Sequence, residues 1–197
     1  MRELLARYAA SGRLLDVGCY EGRLTRYVLP PGVRAVGTDV AARALGAAAA
    51  QGLLPVRAQA EGPLPFVDAA FDAVVAAEIL EHVFDTQAFL AELARVVRSG
   101  GHVLITTPNL VALSGRAKLL LGKSPANVEF DASPGTSGHI RYLAFDTLEV
   151  LLRRVGLEPL GRWTNMVHLS RLGSSERLGR LRPGFGHTLI SVSRKLD

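Results

Sequence analysis

Between residues 13 and 107, short apolar runs alternate with amphipathic stretches at a spacing of a dozen or so residues. Arg13–Val17, Val33–Gly37, Leu53–Ala58, Phe71–Ala77 and His102–Thr106 read as five strands. Arg23–Leu29, the alanine-rich stretch 41–50 and Thr86–Arg98 read as the helices between them. Strands separated by helices pair in parallel through right-handed crossovers, so this alternation leaves little besides a doubly wound α/β sheet. The run Ala73-Val74-Val75-Ala76-Ala77 has no polar position, as expected of a strand covered on both faces.

After residue 107 the pattern changes. Leu110–Leu121 is predicted to be a helix with Leu113, Ala117, Leu120 and Leu121 inward, and Thr147–Val155 another with Leu148, Leu151 and Leu152 inward. Residues 122–138 are rich in Gly, Pro, Ser and Asn and read as loop. Leu157–Trp163 and His187–Ser193 read as two last strands with no helix between them, hence an antiparallel pair at one edge. A short helix over Leu4–Ala9 precedes the first strand.

Composition narrows the class. The chain has 197 residues, 48% hydrophobic and 21% charged, which excludes disorder and suits one domain over 1–197. Its single cysteine, Cys19, can form neither an internal disulfide nor a Cys-based zinc site and reads as a small buried residue. No apolar run approaches membrane-spanning length, and Glu3 interrupts a signal-peptide layout, so a soluble cytoplasmic protein is expected. Charge is unevenly placed: residues 1–150 carry 14 basic and 15 acidic residues, and 151–197 carry 9 and 3. The basic stretch 162–182 holds Arg162, Arg171, Arg177, Arg180 and Arg182 against Glu176. It suits a phosphate, a membrane surface or RNA, or it is a solvated loop. Its aromatics, Trp163 and Phe185, sit only at its margins, which argues against base stacking and nucleic acid.

Ligands of such sheets bind beyond the carboxyl ends of the strands. The first strand ends in Asp16-Val17-Gly18-Cys19-Tyr20-Glu21-Gly22, a glycine turn headed by an acid. That acid disfavours a pyrophosphate, and the turn is not G-x-G-x-x-G, which argues against a nicotinamide oxidoreductase. Asp39 after the second strand can accept both ribose hydroxyls or cap the helix over 41–50.

With Gln59-Ala60-Glu61 after the third strand and Glu78-Ile79-Leu80-Glu81-His82-Val83 after the fourth, the set resembles the class I S-adenosylmethionine-dependent methyltransferases, in the small-molecule branch with a Leu-Glu-His motif. Leu93–Gly101, Thr107-Pro108-Asn109 and Gly138-His139-Ile140-Arg141-Tyr142 fit the same pattern, so the resemblance covers about residues 11–160. It implies a seven-stranded Rossmann-like sheet of order 3-2-1-4-5-7-6, with a donor-binding half over about 11–107 and an acceptor or lid half over about 108–197. Gly18, Tyr20 and Gly22 would pass under the methionine part of the donor, and Asp16 would help hold its ammonium. Asp39 would take the ribose, Gln59 and Ala60 would edge the adenine, and Ala77 and Glu78 would flank the amino-acid end. Tyr20 replaces the family's middle glycine, and Gln59 its aspartate.

The implied reaction transfers a methyl group in line to a small-molecule, lipid-linked or glycan acceptor, at oxygen, leaving S-adenosylhomocysteine. No metal is expected. His82 and His139 are the candidates for a base that removes an acceptor proton; each has an ordinary structural reading as well. Glu81 is expected to fix local structure. The Asn/Asp-Pro-Pro-aromatic signature of adenine and amide methylation is missing. The lid over 109–143 mixes leucines with Arg116, Lys118 and Lys123, which suits an amphiphilic or anionic acceptor and allows peripheral membrane contact. The alternative is a donor-binding accessory protein, similar to the methionine-biosynthesis partner of an acyltransferase.

Overall fold

In a computed structural model, residues 1–129, 137–168 and 173–197 are described. Seven strands make the main sheet: β1 Arg13–Val17, β2 Arg34–Asp39, β3 Leu54–Arg57, β4 Phe71–Ala77, β5 Val97–Pro108, β6 Leu157–Trp163 and β9 Thr188–Lys195. Their order is β3-β2-β1-β4-β5-β9-β6. The first five pair in parallel, and β9 runs antiparallel between β5 and β6. Counting β9 as the seventh strand, this is the expected order.

Strand β4 shows why its run Ala73–Ala77 lacks a polar position. Val74 and Ala76 face a core built with Leu90 and Leu93 of helix α4 (Thr86–Val96) and with Leu148 and Leu152 of helix α6 (Phe145–Arg153). Ala73 and Val75 face the opposite core, with Leu4 and Leu5 of α1 (Arg2–Tyr8), Val28 of α2 (Arg23–Val28) and Leu45 of α3 (Ala42–Ala50). Successive side chains of a strand point to opposite faces, so burial on both faces demands an unbroken apolar run.

Three expectations need correction. Helix α4 ends at Val96, not at Gly100-Gly101, and β5 begins at once. Val97 pairs with Phe71 and His102 with Ala73, so residues 98–101 bulge from the ladder. Gly101 belongs to that bulge: a Cβ there would lie 2.8 Å from the carbonyl oxygens of Arg98 and Asp72. Helix α5 is shorter than expected, Leu113–Leu120, and its faces are reversed at the end. Ala117, Leu120 and Leu121 are exposed, and Gly115 is its one buried residue. The helix meets the body at Gly115, where a Cβ would lie 3.0 Å from the Leu110 carbonyl oxygen and 3.5 Å from Pro125. Finally, the basic stretch is not a plain loop. It holds a ribbon of β7 (Val167–His168) and β8 (Ser174–Ser175), helix α7 (Glu176–Leu181) capped by Ser175, and a turn of 3₁₀ helix at Pro183–Phe185. Arg171 and lid residues 130–136 lie outside the described residues. Among the described residues, no helix is long and apolar enough to cross a membrane.

Candidate active site

The carboxyl ends of β1, β2 and β4 meet at the centre of the sheet, and hydrogen bonds lock them together. The N–H groups of Gly18 and Cys19 both donate to the Thr38 carbonyl, at 2.8 and 2.9 Å. Tyr20 N–H donates to Asp39 Oδ2 and Ala41 N–H to Asp39 Oδ1, each at 2.9 Å. Asp39 is therefore not the cap of α3, whose N-cap is Ala41. It ties the first turn to the second, and each of its oxygens keeps a further lone pair.

Beside it opens a cavity of about 290 Å³. Val17, Val40, Ala58, Ile79 and Val83 give it apolar walls, and Asp39, Gln59, Glu61 and His82 a polar rim. Gly18 has a φ of +76°, and a Cβ on it would lie 2.5 Å from Ile79 Cδ1. Only glycine lets the turn close on the β4 loop at this point. Thr38 Oγ1, on the cavity wall, is buried without a partner. The wall over 59–66 is held from behind by Arg95, which donates to the Leu64 and Phe66 carbonyls and pairs with Glu92 and Asp68.

Of the residues singled out from the sequence, Gly18, Asp39, Gln59, Ala60 and His82 line this cavity. Asp16, Tyr20, Gly22, Ala77 and Glu78 do not line it. Asp16 is 5% exposed and accepts from the Thr25 hydroxyl. Burial pushes its pKa up to about 6; the Thr25 bond opposes this, and the nearby Asp39 charge adds to it. Tyr20 (φ 48°) and Glu78 (φ 52°) are non-glycine residues in the left-handed region. Glu78 is held there by Thr106, whose carbonyl accepts the Glu78 N–H at 2.9 Å and whose hydroxyl donates to its carboxylate at 2.7 Å. Burial, then the Asp16 and Asp39 charges, push the Cys19 thiol up to about 12, so it stays protonated. Val40, Ile79, Val83 and Glu61 were not singled out, although each adjoins a residue that was.

The fourth-strand loop brings three further groups together. His82 Nδ1 lies 3.1 Å from the Gly138 carbonyl, and the His82 and His139 rings are 5.1 Å apart. A carbonyl only accepts, so Nδ1 carries the proton, and in the neutral ring Nε2 is the nitrogen with a free lone pair. Glu81 is 1% exposed; its Oε2 accepts from Thr107, and its Oε1 has no partner. Burial is the main cause that raises its pKa. Its backbone carbonyl accepts from Ile140 and Arg141, which fastens segment 138–141 over the loop. Glu129 holds the same segment from outside through the Ser137 and His139 N–H groups. One ligand atom from each of Glu81, His82 and His139 lies within 4.8 Å of the others. Two imidazoles and a carboxylate at that spacing can pass a proton or hold a divalent cation.

Comparison with known proteins agrees with this geometry. A family model described as a methyltransferase domain matches residues 15–105. A probable S-adenosylmethionine-dependent methyltransferase of Mycolicibacterium smegmatis is 32% identical over 111 residues, which is 56% of this chain and 43% of that protein. A ubiquinone biosynthesis O-methyltransferase of Aromatoleum aromaticum is 31% identical over 161 residues, 76% of this chain and 65% of that one. The chain thus spans less than two-thirds of the length of the curated relatives it matches. Among solved structures, a methyltransferase-fold protein from Bacillus halodurans superposes with a TM-score of 0.71 at 16% identity, over 100% of this chain and 97% of that one.

Proposed function

Because the chain belongs to the class I S-adenosylmethionine-dependent methyltransferase family, we propose that it transfers a methyl group from that donor to an oxygen of a small-molecule, lipid-linked or glycan acceptor. The observation that carries this reading is one continuous site. The apolar cavity beside Asp39 runs directly into His82, which rests against His139.

When bound, the donor supplies a methyl group activated by a sulfonium centre. The protein's part is to hold, align and exclude water. Val40, Ala58, Ile79 and Val83 would hold an adenine by apolar contact, with Gln59 and Ala60 at its edge. The remaining lone pairs of Asp39 accept from ribose hydroxyls. The turn Gly18, Tyr20, Gly22 runs under the methionine part, and Ala77 and Glu78 flank its amino-acid end. Asp16, whose pKa burial raises to about 6, is a carboxylate above that pH and would pair with the ammonium of the donor. His82 Nε2 takes the acceptor's proton as the new bond forms, and His139 and Glu81 spread the resulting charge. Alignment of two bound reactants is worth up to about 7–11 kcal/mol in favourable cases.

Oxygen as the target finds support in relatives named O-methyltransferases, among them the mitochondrial human protein. The chain acts as one methyltransferase unit over 1–197, with its donor side over about 11–107 and its acceptor side over about 108–197, in the cytoplasm.

Calorimetry with S-adenosylhomocysteine and labelled methyl transfer into fractionated host extract test this reading. The expected result is binding of S-adenosylhomocysteine, none of NAD, and label in an extractable small molecule or glycan. Binding of NAD alone would sink it. A chelator separates the two uses of the histidine cluster: activity that survives it supports proton transfer, and activity lost to it and restored by a divalent cation makes the cluster a metal site.

A further inference from the structure

Helix α5 begins five residues after β5 ends, at the carboxyl edge of the sheet where the acceptor must arrive. It ends in Leu119-Leu120-Leu121, which are 53%, 88% and 74% exposed. Helix α7 stands beside it. Both pack on β7, and Arg116 of α5 stacks on Phe185 just beyond α7, its guanidinium carbon 5.1 Å from the ring centre. Leu181, at the end of α7, is 70% exposed.

Single exposed leucines are ordinary, but three in succession at the end of α5, with a fourth at the end of a helix packed on the same strand, leave apolar surface that water alone does not stabilise. The charges around it are mostly positive, Glu176 at the start of α7 being the one acid on the two helices. Arg116, Lys118 and Lys123 flank the first three leucines, and no acidic residue occurs between 110 and 128. Arg177, Arg180 and Arg182 flank Leu181, and no acidic residue occurs between 177 and 186. Pro125 and Ala112 close the base of α5, so the leucines project from the body instead of lining a groove.

We propose that the ends of α5 and α7 form a docking surface for an anionic lipid bilayer. The four leucines enter the boundary between headgroups and acyl chains, and the lysines and arginines stay at the level of the lipid phosphates. A protein partner with an apolar pocket would want its cations matched by nearby acids. A bilayer needs only a surface with a leucine tip and a basic collar, which is what these helices present. The inference goes beyond the methyltransferase reading and does not depend on it.

The test is co-sedimentation of the full chain with vesicles of pure phosphatidylcholine and of phosphatidylcholine with one-third phosphatidylglycerol. The expected result is capture by the anionic vesicles, little by the neutral ones, and weakening as salt is raised. The double variant Leu120→Asp, Leu121→Asp should lower capture about tenfold or more, and so should Lys118→Glu with Lys123→Glu. Thermal melts of both variants should match the parent, since all four side chains are exposed. Equal capture of parent and variants, or no capture at all, overturns the proposal. So does a dimer in light scattering that Leu120→Asp dissociates, which would give the patch to a second copy. S-adenosylhomocysteine binding measured on the same samples keeps the two readings apart: vesicle capture without nucleoside binding sinks the methyltransferase reading alone, and the converse sinks this one alone.

Discussion

The crevice at the ends of β1, β2 and β4 and the helices after β5 handle exposed groups in opposite ways. In the crevice, strand ends are bound to one another: Gly18 and Cys19 to Thr38, Tyr20 to Asp39, Glu78 to Thr106. Two non-glycine residues are held there in left-handed conformations, which persist only where the surroundings enforce them. Around α5 and α7 the backbone is also paired, but leucines and arginines face outward. The first region is finished before any ligand arrives; the second is complementary to something outside the chain. Preorganisation is what an in-line transfer needs on the donor side, whereas an acceptor surface gains from remaining open.

The strongest way to break that contrast is His82→Ala. Loss of a positioned base should lower methyl transfer by about 10²–10⁴-fold, with a much smaller loss of S-adenosylhomocysteine affinity by calorimetry, since His82 also lines the cavity. Equal losses in both would move His82 to the donor site. His139→Ala should follow in the same direction with a smaller loss.

Next in size is the pH dependence of stability through Asp16. Its folded pKa, about 6, lies above the ordinary 3.8. Below the ordinary value the group is neutral in both states. Between the two values the unfolded chain ionises while the folded one keeps its proton, so stability falls as pH rises, and above about 6 the cost is complete. At ~1.4 kcal/mol per unit that is roughly 3 kcal/mol. Urea titrations at pH 4 and pH 7 should show this slope in the parent and its absence in Asp16→Asn. Parallel profiles would mean that Asp16 is hydrated and the crevice less closed than described.

Asp39→Ala sharpens the donor side further. Loss of charged acceptors should weaken S-adenosylhomocysteine about 10–100-fold. Asp39→Asn, whose single amide oxygen can accept from only one of Tyr20 and Ala41, should recover a small part of that. If binding is undisturbed in both, the ribose lies elsewhere. The smallest effect is expected at Arg162, whose guanidinium pairs with Glu149 at 2.6 Å and lies over Phe145. The pair is half-exposed on the arginine side and screened, so Arg162→Ala should cost no more than about 1 kcal/mol in a thermal melt. It should leave vesicle capture untouched, which separates it from the arginines of α7.

The sheet was legible because its evidence is local: β4 must be apolar from Ala73 to Ala77, where both faces are covered, and turns rich in glycine must follow β1. Asp39, Gln59 and Ala60 could be placed at the cavity because they directly follow strands whose carboxyl ends converge. What escaped was set by distant contacts. Leu120 and Leu121 are exposed where periodicity alone favours the opposite face, and the helix meets the body at Gly115 instead. The bulge at 98–101 depends on the register between β4 and β5. Asp16 and its partner Thr25 sit nine residues apart, and only the fold shows that the carboxylate is enclosed. The ribbon and helix of 167–181 lie in a stretch whose charge hid its order.

The position of β9 bears on how the chain reaches its folded state. Residues 188–195 fill the gap between β5, which ends 80 residues earlier, and β6. Until they dock, β5 presents an open edge of unpaired amides and carbonyls, and β6 has no neighbour in the sheet. Such long-range pairing is slow, because distant segments must be brought together before any contact rewards them. An open edge in the meantime is a template for pairing with other chains. Refolding of this protein is therefore expected to be limited by the arrival of its last strand, and its yield to fall with concentration.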